Sequence, residues 1–150
     1  MPVINAIEPT PAQIKAFLAH KQAGEPVFML NLLKFKARAS YADSAENPDN
    51  DISGREAYKR YAAAFTALVK ASGIEAGVVF GGDVNTFLIG GGDGASHDAP
   101  EWDAAAIFRY PNAQTMFDMV SSEDYRKIHY HRRAGLAGQL LISCDGSGVF

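Results

Sequence analysis

The sequence predicts an α+β fold: a ferredoxin-like β-α-β-β-α-β arrangement with one extra helix at its N-terminal end. Three observations predict it. Segments with helical spacing of apolar residues alternate with short apolar runs, in the order helix, strand, helix, strand, strand, helix, helix, strand. Without the first helix this is the split-βαβ order, which gives a four-stranded antiparallel sheet with the first and third strands central and the helices on one face. Those two strands, "VFMLNLLKF" and "WDAAAIFRY", carry large apolar side chains at odd and even positions alike, so both sheet faces ask to be covered. Finally, 150 residues that are 47% hydrophobic and 21% charged suit one compact domain spanning 1–150. A chain of this size buries enough surface to need no disulfide or structural metal.

The elements follow in order. In "TPAQIKAFLAHKQAG", Thr10 caps, Pro11 suits the first helical position, Gln13 completes a capping box and Gly24 ends the helix. Ile14, Phe17 and Leu18 give it one apolar face. "VFMLNLLKF" follows as a strand of eight or nine residues. The polar stretch around Asn47, Pro48, Asp49 and Asn50 reads as a long loop over 38–52. From Ser53, with Glu56 three residues on, a second helix runs to Gly73 and carries the stripe Tyr58, Tyr61, Phe65, Leu68. "IEAGVVFGGDVNTFLIGG" reads as a strand with a bulge or bend expected at Gly81–Gly82. A glycine-rich loop over 90–100 precedes "WDAAAIFRY"; it opens no helix, and no Lys-Ser or Lys-Thr follows, so it lacks the features of a phosphate loop. "PNAQTMFDMVS" starts a helix with Pro111 near its first turn. A further helix, "SEDYRKIHYHRRAGLAG", runs from Ser121 or Ser122 to Gly135 or Gly138, and "QLLIS" is the last strand before the tail "CDGSGVF".

Several functions are disfavoured. A net charge of −3, spread without blocks, is not that of a nucleic-acid-binding surface. The N-terminal residues lack a basic segment followed by an apolar one, and no run of eighteen apolar residues occurs, so a cytoplasmic protein with no membrane partner is expected. Cys144 is the sole cysteine and cannot form an internal disulfide. Nucleophile-elbow and dinucleotide fingerprints are absent, so no cofactor is expected.

The segments "PVFMLNLLKFK", "SGREAYKRYAAA", "GDVNTFLIGG" and "WDAAAIFRYPNAQTMFDMVSSEDYRKIHYHRRAGL" together resemble the uncharacterised family labelled domain of unknown function 1330, within the dimeric α/β-barrel superfamily. The resemblance covers most of residues 25 to 143 and implies a ferredoxin-like homodimer in which two sheets pair through their open faces. It carries no established activity or catalytic residue. The loops at 38–52 and 90–100 look like additions to the family pattern. Other branches of the superfamily, similar in fold only, include cofactor-free monooxygenases, lactone isomerases and haem-degrading enzymes; analogy of fold does not transfer their chemistry.

Candidate site residues come from two places. Asn31 interrupts an apolar strand on the face shared with Val27, Met29, Leu33 and Phe35, and a buried amide there needs partners. It either fixes register through a neighbouring loop or helix end, or lines a pocket between sheet and helices. At about 100° per residue, Tyr125, His129, Arg132 and Leu136 share one stripe of the last helix, whereas His131 points about 160° from His129. A metal held by "HYH" is therefore disfavoured, and both histidines read as ordinary exposed ones. Arg132 offers a two-pronged anion contact, His129 a proton donor or acceptor, and Tyr125 or Tyr110 an oxygen-orienting phenol. The competing reading pairs Arg132 with a carboxylate such as Asp103 or Glu123 and leaves the aromatics as core filling. Trp102 is expected against the sheet or a dimer partner.

Two functions follow. One is a cofactor-independent enzyme performing proton transfer or oxygenation on a small acidic molecule, with His129 catalytic and Asn31, Tyr110, Tyr125 and Arg132 binding it. The other is a non-catalytic dimeric binding or stress-associated module.

Overall fold

The computed structural model describes residues 6–20, 22–41, 51–90, 102–146 and 148. Helix α1 (Pro11–Ala19) leads to strand β1 (Val27–Phe35) and helix α2 (Gly54–Ser72). Strands β2 (Gly77–Asp83) and β3 (Ala104–Tyr110) follow, then helices α3 (Ala113–Val120), α4 (Glu123–Arg126) and α5 (His129–Gly135), and finally β4 (Leu136–Asp145). The four strands form one antiparallel sheet in the order β2-β3-β1-β4, which places β1 and β3 at its centre as the ferredoxin-like pattern requires.

Local chemistry sets the boundaries. Thr10 and Gln13 close a reciprocal capping box on α1. Ser53 caps α2 by accepting from the Glu56 amide, and Gly73 ends it at φ 72°, a left-handed conformation that glycine adopts without strain. Asn112 caps α3, accepting from the Thr115 amide at 2.7 Å, with Pro111 directly before it.

Several element boundaries and irregularities differ from those the sequence suggests. The long last helix is broken after one turn: the Ile128 amide bonds Tyr125 O at 3.0 Å and the His131 amide bonds Ile128 O at 3.2 Å, both tighter three-residue steps. Ile128 packs on the core at this break, and α5 beyond it packs on α2. In β2 the irregularity falls between Val78 and Phe80, while Gly81 and Gly82 stay in regular register. The strand ends at Asp83, and Leu88 and Ile89 beyond it are 92% and 91% exposed. Strand β3 begins at Ala104, two residues after the buried Trp102. β4 starts directly after Gly135 and absorbs Gly138, Cys144 and Asp145, because β1 pairs with it over its full length. A register shift between Lys34 and Phe35 takes up the extra residue, Ala137. The turn-rich centre of the 38–52 loop and the glycine-rich loop lie outside the described residues, apart from their edges.

The core lies between the sheet and the helices. Val27 and Met29 from β1, Phe65 and Val69 from α2, Tyr110 from β3 and Met119 and Tyr125 from α3 and α4 form one buried cluster. Predicted stripe residues Tyr61 and Leu68 pack against it, whereas Tyr58 sits at its edge, its ring 5.4 Å from that of Phe35. Helices α2 and α5 cross at backbone contact: a Cβ added to Gly54 would lie 2.5 Å from the Gly135 carbonyl oxygen. Among the described residues no helix packs on the opposite sheet face. Register puts Phe28, Leu30 and Leu32 of β1, Ile107 of β3 and Leu140 of β4 there together, with Phe80 and Ile142 exposed on the outer strands. No helix among the described residues is long and apolar enough to cross a membrane.

Candidate functional site

Asn31 is the starting point, since β1 presents it on the helix-covered face opposite Ala106 of β3 and Leu141 of β4. Its amide nitrogen donates to Met29 O at 3.0 Å, and its side-chain oxygen accepts from Gln139 Nε2 at 2.8 Å. Gln139, 8% exposed, is the buried polar residue of the described chain. Its own oxygen accepts from Arg132 Nη2. The direction of this chain follows from chemistry: guanidinium can only donate, so Gln139 must offer oxygen to Arg132 and nitrogen to Asn31, which fixes both amides.

Arg132 is the hub. Besides Gln139, its Nη2 donates to Ile7 O, and its Nη1 lies 3.3 Å from His129 Nε2. The carboxylate beside it is Glu8, with Oε1 3.6 Å from Arg132 Nη1, 3.3 Å from His129 Nε2 and 3.0 Å from Arg133 Nε. Neither carboxylate anticipated for Arg132 takes this place. Asp103 instead pairs with Lys34 Nζ at 3.3 Å and accepts from the Phe35 amide at 2.7 Å, while Glu123 sits in the first turn of α4.

His129 Nε2 thus faces a cation and an anion at once. In the tautomer with hydrogen on Nδ1, Nε2 accepts from Arg132; with hydrogen on Nε2, it donates to Glu8. Burial holds its pKa below the usual imidazole value, Arg132 and Arg133 add to that depression, and Glu8 opposes it. The ring is therefore neutral at pH 7, the form that acts as a base.

Phenols border the cluster. The Tyr125 ring lies 5.4 Å from that of His129, and its hydroxyl meets Tyr61 Oη at 3.0 Å. Burial raises the Tyr125, Tyr61 and Tyr110 pKa values and pushes Tyr58 up to about 12. All four are neutral hydroxyls at pH 7. The structure therefore brings Asn31, Tyr125, His129 and Arg132 together. Tyr110 is placed in the core, opposite Val27 and 4.8 Å ring to ring from Phe108, and no hydrogen bond ties it to the other four.

His131 belongs to a different group, its Nδ1 2.8 Å from Tyr41 Oη, and is half-buried, not exposed as expected. Among the described residues no three His, Cys, Asp or Glu side chains gather as a metal site. A separate cleft of about 350 Å³ lies at the far end of β1, bordered by Gln22, Glu25, Phe28, Arg109 and Asp145.

Glu8 and Gln139 are the site residues that sequence reasoning missed. Gln139 had a signal, since it opens an apolar strand as Asn31 interrupts one. Glu8 had none: it precedes the cap of α1 in a segment without periodicity.

The chain matches no protein-family model and no curated protein. Among solved structures it is similar to the RPA0582 protein of unknown function from Rhodopseudomonas palustris, at 27% identity and a TM-score of 0.78, over 97% of this chain and 100% of that one. A structure of methylated RPA0582 is similar at 28% identity and a TM-score of 0.78, covering 96% of each chain.

Proposed function

We propose that this protein binds a small acidic organic molecule at the Arg132–His129 cluster and works as a homodimer joined through its open sheet face. The observation that carries the reading is the convergence of Arg132, His129 and Arg133 on a single carboxylate oxygen. Two of those three side chains are mostly buried, at 11% exposed for Arg132 and 20% for His129. Buried donors of fixed orientation recognise a carboxylate better than solvated ones, because their ordering is settled before binding. Asn31 and Gln139 hold Arg132 in place from the sheet. Tyr125, with Tyr61 behind it, offers an aromatic wall, and Tyr110 sits deeper as part of that wall's support.

In the tautomer with hydrogen on Nδ1, where Arg132 and Arg133 hold the ligand carboxylate, neutral His129 presents Nε2 as the base for a proton on a neighbouring carbon or oxygen, and Arg132 steadies the resulting enolate. Proton transfer or oxygenation without a cofactor is the chemistry this arrangement suits. The internal pairing of Asn31 favours a second form of the reading, a non-catalytic module that holds the same acid without turning it over. His129→Gln separates the two, abolishing turnover in the enzyme and changing affinity only modestly in the binder.

The dimer rests on the apolar face formed by Phe28, Leu30, Leu32, Ile107 and Leu140, since a bare sheet face of this kind exceeds what monomers ordinarily expose. The two-sheet dimer is also what kinship with the family of domain of unknown function 1330 would bring. Native mass spectrometry of the wild type and Arg132→Ala tests the binding reading. An acidic molecule carried by the wild type and missing from the variant supports it; a ligand retained equally by both refutes it.

A further inference from the structure

The inference concerns regulation of the same site and rests on the reading of the Arg132–His129 cluster as a carboxylate receptor. Glu8 already stands where a ligand carboxylate would stand, its Oε1 within 3.6 Å of Arg132 Nη1, 3.3 Å of His129 Nε2 and 3.0 Å of Arg133 Nε. Its exposure runs opposite to that of its main partners: the Glu8 side chain is 45% exposed, while those of Arg132 and His129 are 11% and 20%. The anion is the part that solvent reaches, and the receptor is the part that stays covered.

The segment carrying Glu8 is lightly attached. Ala6, Glu8, Pro9 and Thr10 are exposed and only Ile7 is half-buried. Helix α1, which follows, contributes no fully buried residue. Its backbone ties to the site are the Ala6 amide on Gln139 O at 3.2 Å and Ile7 O on Arg132 Nη2. Little apolar surface would be uncovered if residues 6–8 moved away.

We propose that residues 6–8 form a displaceable latch, with the Glu8 carboxylate an internal stand-in for the carboxylate of a small organic acid. Ligand entry exchanges one carboxylate for another. Arg132, which does not deprotonate, keeps an anion beside it in both states and avoids the cost of a buried unpaired cation. Competition from Glu8 lowers the apparent affinity by the fraction of molecules in which the latch is closed. It also restricts the site to anions, because a neutral molecule that displaced Glu8 would leave Arg132 uncompensated.

The test uses isotope-labelled wild type and Glu8→Gln, titrated with sodium benzoate while the Arg132 Nε–H and His129 imidazole NMR signals are followed. Benzoate is expected to move those signals in both proteins, with a Kd about tenfold lower in Glu8→Gln. At saturation the Ile7 and Glu8 amides of the wild type should move toward the shifts of exposed chain, a readout that does not depend on the variant. Equal Kd values, or amides of residues 7 and 8 that stay in place at saturation, would overturn the latch and leave the receptor standing. A lack of response at Arg132 and His129 in both proteins would overturn the receptor, and the latch with it.

Discussion

Replacing Gln139 with leucine cuts the polar chain at its middle, and the structure sets the scale of the loss. Asn31 Oδ1 loses the donor at 2.8 Å, leaving a part-buried acceptor unmatched at a cost of about 1–3 kcal/mol. Arg132 loses one charge-assisted acceptor, worth about 1.5–3 kcal/mol. The leucine side chain returns about 1 kcal/mol through greater apolar burial. The net destabilisation is then about 1.5–5 kcal/mol, and at about 2–4 °C per kcal/mol for a domain of this size Tm falls by roughly 3–20 °C. Trp102, the sole tryptophan and 5% exposed, reports urea unfolding by fluorescence. Asn31→Leu cuts the next link, so the double variant should be less destabilised than the sum of the singles by about 1–2 kcal/mol. Gln139→Leu within 0.5 kcal/mol of wild type (about the scatter of neutral surface changes), or strictly additive singles, would refute the connected chain.

Gly135→Ala places a Cβ 2.9 Å from the Tyr58 amide nitrogen at the α2–α5 crossing and should cost about 3 kcal/mol or more in thermal unfolding followed by circular dichroism. Gly24→Ala, with nothing within 4 Å, should stay within about 0.5 kcal/mol. His129 should titrate below 6.5 by NMR, its folded pKa depressed by burial. The unfolded chain therefore binds the proton first, so the His129 contribution is intact above pH 6.5 and is lost as pH falls from there to the folded pKa. Urea midpoints of wild type and His129→Gln should accordingly converge or cross as pH is lowered from 8 to about 5. Leu30→Asp, on the open sheet face, should convert the proposed dimer to a monomer by light scattering coupled to size exclusion, and a wild type that is itself monomeric at micromolar concentration would contradict that assembly.

The fold was legible because its signals are local and repeated. Thr10, Ser53 and Gly73 mark helix ends through hydrogen bonds that span only a few residues, and the β1 and β3 runs announce central strands by their two-sided apolar character. Errors arose where tertiary packing decides. Ile128 breaks a helix that spacing alone continues, because its packing on the core favours a tighter turn there. Gly81–Gly82 suggested a bulge that β2 places earlier, between Val78 and Phe80. At the site, the Tyr125, His129, Arg132 stripe survives the helix break, with the Tyr125 ring 5.4 Å from that of His129 and Arg132 Nη1 3.3 Å from His129 Nε2. Residue type groups Tyr110 with them, yet register commits it to the core opposite Val27. The partner of Arg132 was beyond sequence reach: Asp103 is captured by Lys34 and the Phe35 amide, and Glu8 arrives from a segment 124 positions earlier (132 − 8) that no periodic pattern places.

A crystal structure of the protein grown with benzoate would show the exchange of carboxylates at Arg132 without any substitution. The benzoate carboxylate is expected within about 3 Å of Arg132 Nη1 and His129 Nε2, the ring against Tyr125, and Glu8 withdrawn into solvent. Benzoate seated instead at Arg109 in the cleft at the far end of β1, with Glu8 still on Arg132, would contradict it.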